Sequence, residues 1–293
     1  MGADGIGPEV VDAGVQVLTK LAQLDGSFQV EFEDYDWSSE TYKQTGKYIP
    51  DGGLDMLKKH DAILFGAVGA PGNIPLGSLL LSWSNHSIDV PDHISLWGLR
   101  LAICQPFQQY ANVRPTKIFR GTSSPLRNAE HGDLDWVIVR ENSEGEYAGQ
   151  GGRSHRGLPW ETATEVSIFS RHAVERIIRF AFATAQLRPR KFLTVVTKSN
   201  AQRNGMVLWD EVAFEVSKEY PDVKWDKMLV DAMTCRMVLD PKSLDTIVAT
   251  NLVNWALKQL LYESANPHTA CRHSVRFSCC VGRVHRYCAD IES

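Results

Sequence analysis

The chain has 293 residues, 43% of them hydrophobic, and a formal net charge of −4. These totals are typical of a globular protein with one large or two smaller domains, and the slightly acidic balance gives no reason to expect nucleic acid or an anionic membrane as a partner. No stretch approaches the ~20 apolar residues of a membrane-spanning helix, and the N-terminus has neither a basic region nor an apolar signal core. We therefore expect a cytoplasmic protein.

The first hundred residues alternate between predicted helices and strands. A Gly-rich turn at Met1–Pro8 leads into an amphipathic helix at Glu9–Leu24, followed by a strand at Phe28–Phe32, a short helix at Gly52–Lys59 and a buried strand at Ala62–Val68. In an α/β fold a strand normally precedes such a turn, so we expect either that the first strand is missing or that the turn has no sheet beneath it. Residues 76–91 are apolar and then Ser-rich without a clear period, and we interpret them as an insert.

The alternation continues to residue 252, which favours an α/β fold with a mostly parallel sheet. The predicted helices are Leu96–Tyr110, Arg171–Leu187 and Met206–Tyr220, and the first of them is broken at Pro106. The predicted strands are Thr116–Phe119, Trp136–Val139, Glu165–Phe169, Phe192–Thr197, Met228–Ala232 and Thr246–Leu252. A polar hairpin-like arm is predicted at Gly151–Thr164.

Three of these strands end near residues that can do chemistry: Tyr147, Lys198 and Asp231. Ligands of open α/β sheets bind outside the carboxyl ends of the strands, so we expect these side chains to converge. Arg114 and Arg140 are suited to a dicarboxylate, a lysine to a base, an aspartate to a divalent cation and a tyrosine to a proton donor.

Each of these residues also has a purely structural interpretation. The segment that contains Arg140 and Tyr147 is equally typical of a strand followed by a charged surface turn. Arg114 is compatible with an ordinary ion pair between a helix and a strand, and Asp231 with a cap at the end of a strand.

Seven ordered motifs carry a resemblance to a known family: "DGIGPEV" at 4–10, "FGAVGAP" at 65–71, "PDHISLWG" at 91–98, "YANVRP" at 110–115, "VRENSEGEY" at 139–147, "TKSN" at 197–200 and "VDAM" at 230–233. Together they resemble the metal-dependent β-decarboxylating dehydrogenases, which act on isopropylmalate, isocitrate, homoisocitrate and tartrate or D-malate. The third and fifth motifs are most similar to the tartrate/D-malate branch.

The resemblance implies NAD-dependent oxidation of a 2-hydroxy diacid, followed by loss of the β-carboxylate with the help of Mg²⁺ or Mn²⁺. Its site residues, carried over motif by motif, are Arg114 and Arg140 for the substrate carboxylates, Tyr147 for enol protonation, Lys198 as general base, Asp231 as metal ligand, Ile6 and Asn200 on the NAD side, and Trp97 at the position that selects the C3 substituent. A bulky ring at Trp97 argues for malate or tartrate against an isopropyl group.

The resemblance also implies an isopropylmalate dehydrogenase-like two-domain fold and a homodimer in which Lys198 and Asp231 reach into the neighbouring subunit's site. The expected organisation is a first, cofactor-side domain at 1–109, incomplete and with the insert 76–91; a second domain at 110–262 with the dimer arm at about 151–164; and a disordered tail at 263–293.

Two departures from the family pattern bear on activity. Cys104 stands where the family has a further substrate arginine, and Trp255 and Gln259 stand where it has metal aspartates. No family motif survives after residue 252, where the family carries the adenosine side of its NAD site. The alternative predictions are a catalytically inactive homologue, or a misread gene product, that pairs with an intact subunit.

The tail has a composition of its own. Four of the six cysteines of the chain fall after residue 270, together with several histidines. These are zinc-capable residues, but their spacing fits no standard pair-and-pair zinc pattern. A zinc interaction module is therefore the third alternative beside a disordered tail.

Overall fold

A computed structural model of the protein describes residues 1–69, 90–121, 126, 129–253 and 279–281. The chain divides into two compact units, one formed by residues up to Phe107 and the other beginning at Gln108. Helices and a mixed sheet make up the two units, so the predicted α/β class is confirmed. Among the described residues no helix is both long enough and apolar enough to cross a membrane.

The first unit is mainly helical in its described part. Its helices are α1 (Gly7–Asp25), α2 (Ser39–Thr45), α3 (Gly53–Leu57), α4 (Asp92–Ser95), a π-helical segment (Leu96–Leu101) and α5 (Ala102–Cys104). Helix α1 begins with a proline in its first turn and ends at Gly26, whose positive φ of 71° lets its N–H donate to Ala22. The helix predicted to break at Pro106 ends at Cys104.

Two predicted strands of this unit are wrong. Phe28–Phe32 forms no strand, and Ala62–Val68 takes part only in an isolated parallel bridge between Ala67 and Ala3. Apolar alternation suits a strand only if a neighbour pairs with it, and Phe28, Val30 and Phe32 are all partly exposed. Most of the predicted insert, residues 76–89, lies outside the described residues.

The second unit is built on a six-stranded sheet in the order β6-β5-β7-β2-β1-β8. Strands β2, β7, β5 and β6 are parallel, whereas β1 is antiparallel to both β2 and β8. The elements are β1 (Ala111–Lys117), β2 (Asp135–Glu141), β3 (Gly145–Ser154), β4 (Thr162–Ile168), α6 (Arg171–Gln186), β5 (Phe192–Thr197), α7 (Gly205–Ser217), β6 (Lys224–Leu229), α8 (Val230–Leu239), a 3₁₀ turn (Pro241–Ser243), β7 (Thr246–Ala249) and β8 (Cys279–Val281).

Helix α6 shows how the sequence builds this core. Ser170 caps the helix by accepting a hydrogen bond from the Ala173 N–H at 3.1 Å. Residues spaced three and four apart, including Ile177, Ile178 and Phe182, are fully buried against the sheet. Burial of each such side chain contributes about 1.5–3 kcal/mol to the free energy of folding, so α6 packs stably against the strands of the sheet.

Several strand boundaries differ from the predictions, and three of them bear on the site. Strand β1 begins at Ala111, not Thr116. The predicted start was too late because Pro115 lies inside the strand, opposite Val137, and a proline is not expected there. Strand β6 ends at Leu229, and Asp231 lies in the first turn of α8 rather than in a strand. Strand β7 ends at Ala249, three residues before the predicted end.

The predicted arm is a two-stranded hairpin of β3 and β4, largely exposed. Within the tail, Cys279–Val281 forms strand β8 beside β1. The other tail residues lie outside the described part of the chain, so disorder and zinc binding in the tail stay predictions.

Candidate active site

The ends of the parallel strands form one row across the sheet. Arg140 of β2 pairs with Ala249 of β7, Ala249 pairs with Val196 of β5, and Val196 pairs with Met228 of β6. Neighbouring strands lie about 4.8 Å apart, so this row spans roughly 15 Å. The residues that follow it in each strand emerge at the same edge of the sheet.

Arg140 lies at the buried end of this row. Only 4% of the residue is exposed. Its Nε and Nη2 groups both donate to Oδ1 of Asn251, which is 1% exposed and follows the end of β7 by two residues. The guanidinium carbon of Arg140 lies 5.9 Å from the centre of the Tyr147 ring, within the range of a cation–π contact. The structure therefore brings Arg140 and Tyr147 together.

Arg114 lies beside Arg140 on the neighbouring strand. Residues directly opposite in an antiparallel pair share a face of the sheet, and Arg140 is opposite Asn112 while Arg114 is opposite Ile138. The two arginines are diagonal neighbours, a relation typically spanning about 7–8 Å between backbones. Arg114 Nε donates to Oδ1 of Asn112 at 2.8 Å, and Asn112 is fully buried. The two arginines thus share one face of the sheet.

The start of the arm is anchored to the core, which fixes the position of Tyr147. Glu144 accepts hydrogen bonds from the backbone N–H and the hydroxyl of Ser170, both at 2.7 Å. Gly145 has a φ of 75°, and a side chain there would contact Phe169 and Asn251. A glycine at this position lets the chain turn from β2 into β3 close to Asn251.

A buried carboxyl group lies next to Arg140 in sequence. Glu141 accepts hydrogen bonds from the backbone N–H groups of Ser143 and Glu144, at 2.8 and 2.9 Å, and from the Ser143 hydroxyl. Burial raises the pKa of Glu141 because a charge is costly away from water, and these hydrogen bonds oppose that rise. Sequence reasoning assigned Glu141 no role.

Lys198 and Asp231 form an ion pair at the other end of the row. The side chains are 28% and 65% exposed, so water reaches both. The hydrogen bond from Lys198 holds the pKa of Asp231 below its ordinary value. Asn200, two residues past Lys198, is exposed. The structure therefore brings the predicted base and the predicted metal ligand together.

The other two predicted site residues lie in the first unit. Trp97 is on the π-helical segment and Ile6 immediately precedes α1, and both are exposed. Their predicted contacts with substrate and cofactor stay predictions.

Sequence reasoning missed the two asparagines that hold the arginines. Asn251 had the same signal that singled out Lys198, since it is a polar residue just after a buried strand. Asn112 lies inside "YANVRP", where alternation with Arg114 places both residues on one face of a strand. Neither signal says that the partner is an arginine, because that pairing depends on strand order.

The acidic residues of the described segments do not fit a Mg²⁺ or Mn²⁺ site. No group of three potential ligands occurs among them. Such ions require several hard oxygen ligands. Asp231 offers one carboxylate, and it is bonded to Lys198.

Comparison with known proteins places the chain in a family. The model of the family described as isocitrate/isopropylmalate dehydrogenase matches residues 1–254. The chain belongs to the isocitrate/isopropylmalate dehydrogenase family. The predicted resemblance is therefore confirmed at the level of the family.

Individual members of the isocitrate/isopropylmalate dehydrogenase family support the predicted branch. A probable tartrate dehydrogenase/decarboxylase of Agrobacterium vitis is 65% identical over 250 residues, which are 85% of this chain and 65% of that protein. The decarboxylating D-malate dehydrogenase of Escherichia coli K12 is 42% identical over 258 residues, 88% of this chain and 67% of that protein. The chain thus spans about two thirds of the length of these relatives.

A solved member of the family has the same fold. The crystal structure of isocitrate dehydrogenase from Methylococcus capsulatus superposes with a TM-score of 0.71 at 30% sequence identity, and the match covers 89% of this chain and 68% of that one. The predicted isopropylmalate dehydrogenase-like fold class is in agreement with this neighbour.

Proposed function

We propose that the chain is a subunit of a dehydrogenase that oxidises and decarboxylates a 2-hydroxy diacid of the tartrate or D-malate type with NAD. The observation that carries the proposal is the pair of arginines, Arg114 and Arg140, which are diagonal neighbours on one face of the six-stranded sheet, with the Tyr147 ring 5.9 Å from the Arg140 guanidinium carbon. Two guanidinium groups side by side match the two carboxylates of a diacid, because each offers planar, two-pronged hydrogen bonding.

The remaining residues divide the proton transfers. In the proposed homodimer Lys198 reaches into the neighbouring subunit's site and takes the proton of the C2 hydroxyl as general base. NAD⁺, for which Asn200 is the proposed contact, would supply the acceptor for the C2 hydride, and the substrate would become a 2-oxo diacid. The bond between C3 and its carboxylate then breaks, CO₂ leaves, and the electron pair forms an enolate. Tyr147 donates its proton to C3.

Asn200 is the proposed contact of the second unit with the cofactor, because an exposed side-chain amide both donates and accepts hydrogen bonds and so matches a nicotinamide carboxamide. The cofactor contact predicted for Ile6 stays a prediction. The single carboxylate of Asp231 does not by itself make a Mg²⁺ or Mn²⁺ site, and no step above passes through a metal.

The arm supports a homodimer within this proposal. Trp160 and Val166 are exposed apolar residues on a hairpin of only two strands. An isolated two-stranded hairpin is marginally stable in water, and a second copy of the hairpin would cover these side chains.

A second candidate is a catalytically inactive subunit that completes the site of an intact partner. The observation that favours it is that no cluster of acidic ligands occurs in the described segments, together with Trp255 and Gln259 in the sequence where the family's metal aspartates are expected. Such a chain would still donate Lys198 to a partner.

An assay of NADH formation with D-malate, tartrate and isopropylmalate, each with and without Mn²⁺, tests the proposal. Activity of the purified chain with D-malate or tartrate supports the first candidate. The second candidate is supported if the purified chain is inactive by itself but restores activity to a relative whose own catalytic lysine has been removed. Activity with isopropylmalate only would contradict the tartrate/D-malate assignment.

A further inference from the structure

The contact between Asn251 and Arg140 differs from the arginine ion pairs at the surface of the second unit. Arg171, for example, reaches the carboxylate of Glu215. Arg140 instead directs two of its donor nitrogens at the amide oxygen of a buried asparagine. Because both N–H groups donate to one oxygen, the contact fixes which edge of the planar guanidinium faces Asn251.

Asn251 is itself held from two directions. It lies two residues after the end of the buried strand β7, beside Thr250 and Val253, which are also buried. Its Nδ2 group is 3.5 Å from the backbone carbonyl of Glu144, at the limit of a hydrogen bond, at the point where the arm begins. Asn251 therefore joins the end of β7, the end of β2 and the start of β3.

The acceptor on Asn251 is neutral, and this matters for an anion site. An aspartate in the same place would hold the guanidinium equally well, but it would add a negative charge beside the group that is to bind a carboxylate. An amide oxygen fixes the arginine without adding that charge. Arg114 likewise donates from its Nε to a neutral amide oxygen, that of the buried Asn112.

From these contacts we infer that Asn251 is a positioning residue: it fixes which edge of the Arg140 guanidinium faces the end of β7, next to Tyr147, so that the guanidinium can bind a carboxylate of the substrate. The inference rests on the proposed function for the identity of that ligand. Asn251 does not touch the substrate itself; it acts through Arg140.

The test uses three variants of the full chain. Asn251→Ala removes the acceptor. Asn251→Asp keeps an acceptor but adds a charge. Asn142→Ala is the matched control. Asn142 is as buried as Asn251 and follows β2, the strand of Arg140, but its amide donates to the Gln109 carbonyl at 3.0 Å instead of accepting from Arg140.

Two readouts are combined: the NMR signal and exchange rate of the Arg140 Nε–H, and calorimetric titration with D-malate. We expect the Nε–H to be protected from exchange in the wild type, in Asn251→Asp and in Asn142→Ala, and to lose that protection in Asn251→Ala. D-malate affinity should fall roughly tenfold or more in Asn251→Ala, equivalent to one lost charged hydrogen bond, and by a similar factor in Asn251→Asp because of the added negative charge. It should stay within about twofold in Asn142→Ala.

Unchanged Nε–H protection in Asn251→Ala would overturn the inference, as would an equal loss of D-malate affinity in Asn142→Ala. If the wild type binds no D-malate but Asn251→Ala still loses the Nε–H protection, the positioning role stands and the proposed function fails. The two ideas are thus separated by the same experiment.

Discussion

The two ends of the row of strand termini hold a positively charged side chain in different ways. At one end Arg140 is buried and bonded to a buried amide. At the other end Lys198 is open to water and paired with an exposed carboxylate. A buried and hydrogen-bonded group is fixed before a ligand arrives, whereas an exposed ion pair is worth only about 0–1 kcal/mol and exchanges partners easily.

This difference matches the two tasks proposed for them. Recognition of a carboxylate gains from an arginine whose orientation is already fixed, because less freedom is lost on binding. A base must gain and lose a proton, and a lysine held by a single exposed partner can change that partner. We therefore describe the arginine end as the rigid half of the row and the lysine end as the adaptable half.

Lys198→Met should have the largest effect on turnover and one of the smallest effects on stability. Loss of a general base typically lowers kcat by about 10²–10⁴-fold. Loss of an exposed ion pair should change the free energy of unfolding by less than about 1 kcal/mol. NADH formation and urea denaturation measure the two quantities. A loss of several kcal/mol would show that the lysine end is part of the rigid half.

Arg140→Lys should weaken binding of a diacid by roughly 10- to 150-fold, corresponding to about 1.5–3 kcal/mol for a charged hydrogen bond that lysine cannot reproduce. Titration calorimetry with D-malate gives the affinity. Arg171→Lys is the control, because Arg171 has a surface partner, Glu215, in the same unit. Equal affinities for the two variants would contradict the assignment of Arg140.

Glu141 should make the rigid half sensitive to pH in one direction. Its folded pKa is raised by burial, so its contribution to stability is present below the ordinary value of 4.5 and is lost as pH rises through the folded pKa. The free energy of unfolding of the wild type, relative to Glu141→Gln, should therefore decrease from acid toward neutral pH. Denaturant titrations at a series of pH values check this, and a relative increase would be the wrong sign.

Asp231 should show the opposite sign and a smaller effect, because it is exposed. Its folded pKa is lowered by the hydrogen bond from Lys198, so the contribution of the pair is present above the ordinary value of 3.8 and is lost as pH falls through the folded pKa. Carboxyl NMR titration should give a lower pKa for Asp231 in the wild type than in Lys198→Met. The same midpoint in both proteins would mean that the ion pair does not form in solution.

The elements with a strong local signal were predictable from the sequence. Helix α6 has a cap and a continuous apolar face, and strands β2 and β5 are short buried runs that end at polar residues. These local patterns placed Arg140 and Lys198 at strand ends, and the rule for parallel sheets predicted that such ends share an edge.

The parts that depend on tertiary pairing were not predictable. The start of β1 was predicted too late because it contains Pro115, and a paired proline is unusual in a strand. Phe28–Phe32 had strand periodicity but no partner in the described residues. The contact of Asn251 with Arg140 joins residues 111 positions apart. Only the order of the strands brings those two side chains together.

The most direct test of the central claim, that the arginine half of the row binds a dicarboxylate, is calorimetric titration of the full chain with D-malate and with D-lactate, a 2-hydroxy acid that has one carboxylate. Two adjacent arginines predict that D-malate binds at least roughly tenfold more tightly, and that Arg140→Lys removes most of this difference. Equal affinity for the two acids in the wild type, or a preference for D-malate that persists undiminished in Arg140→Lys, would contradict the account.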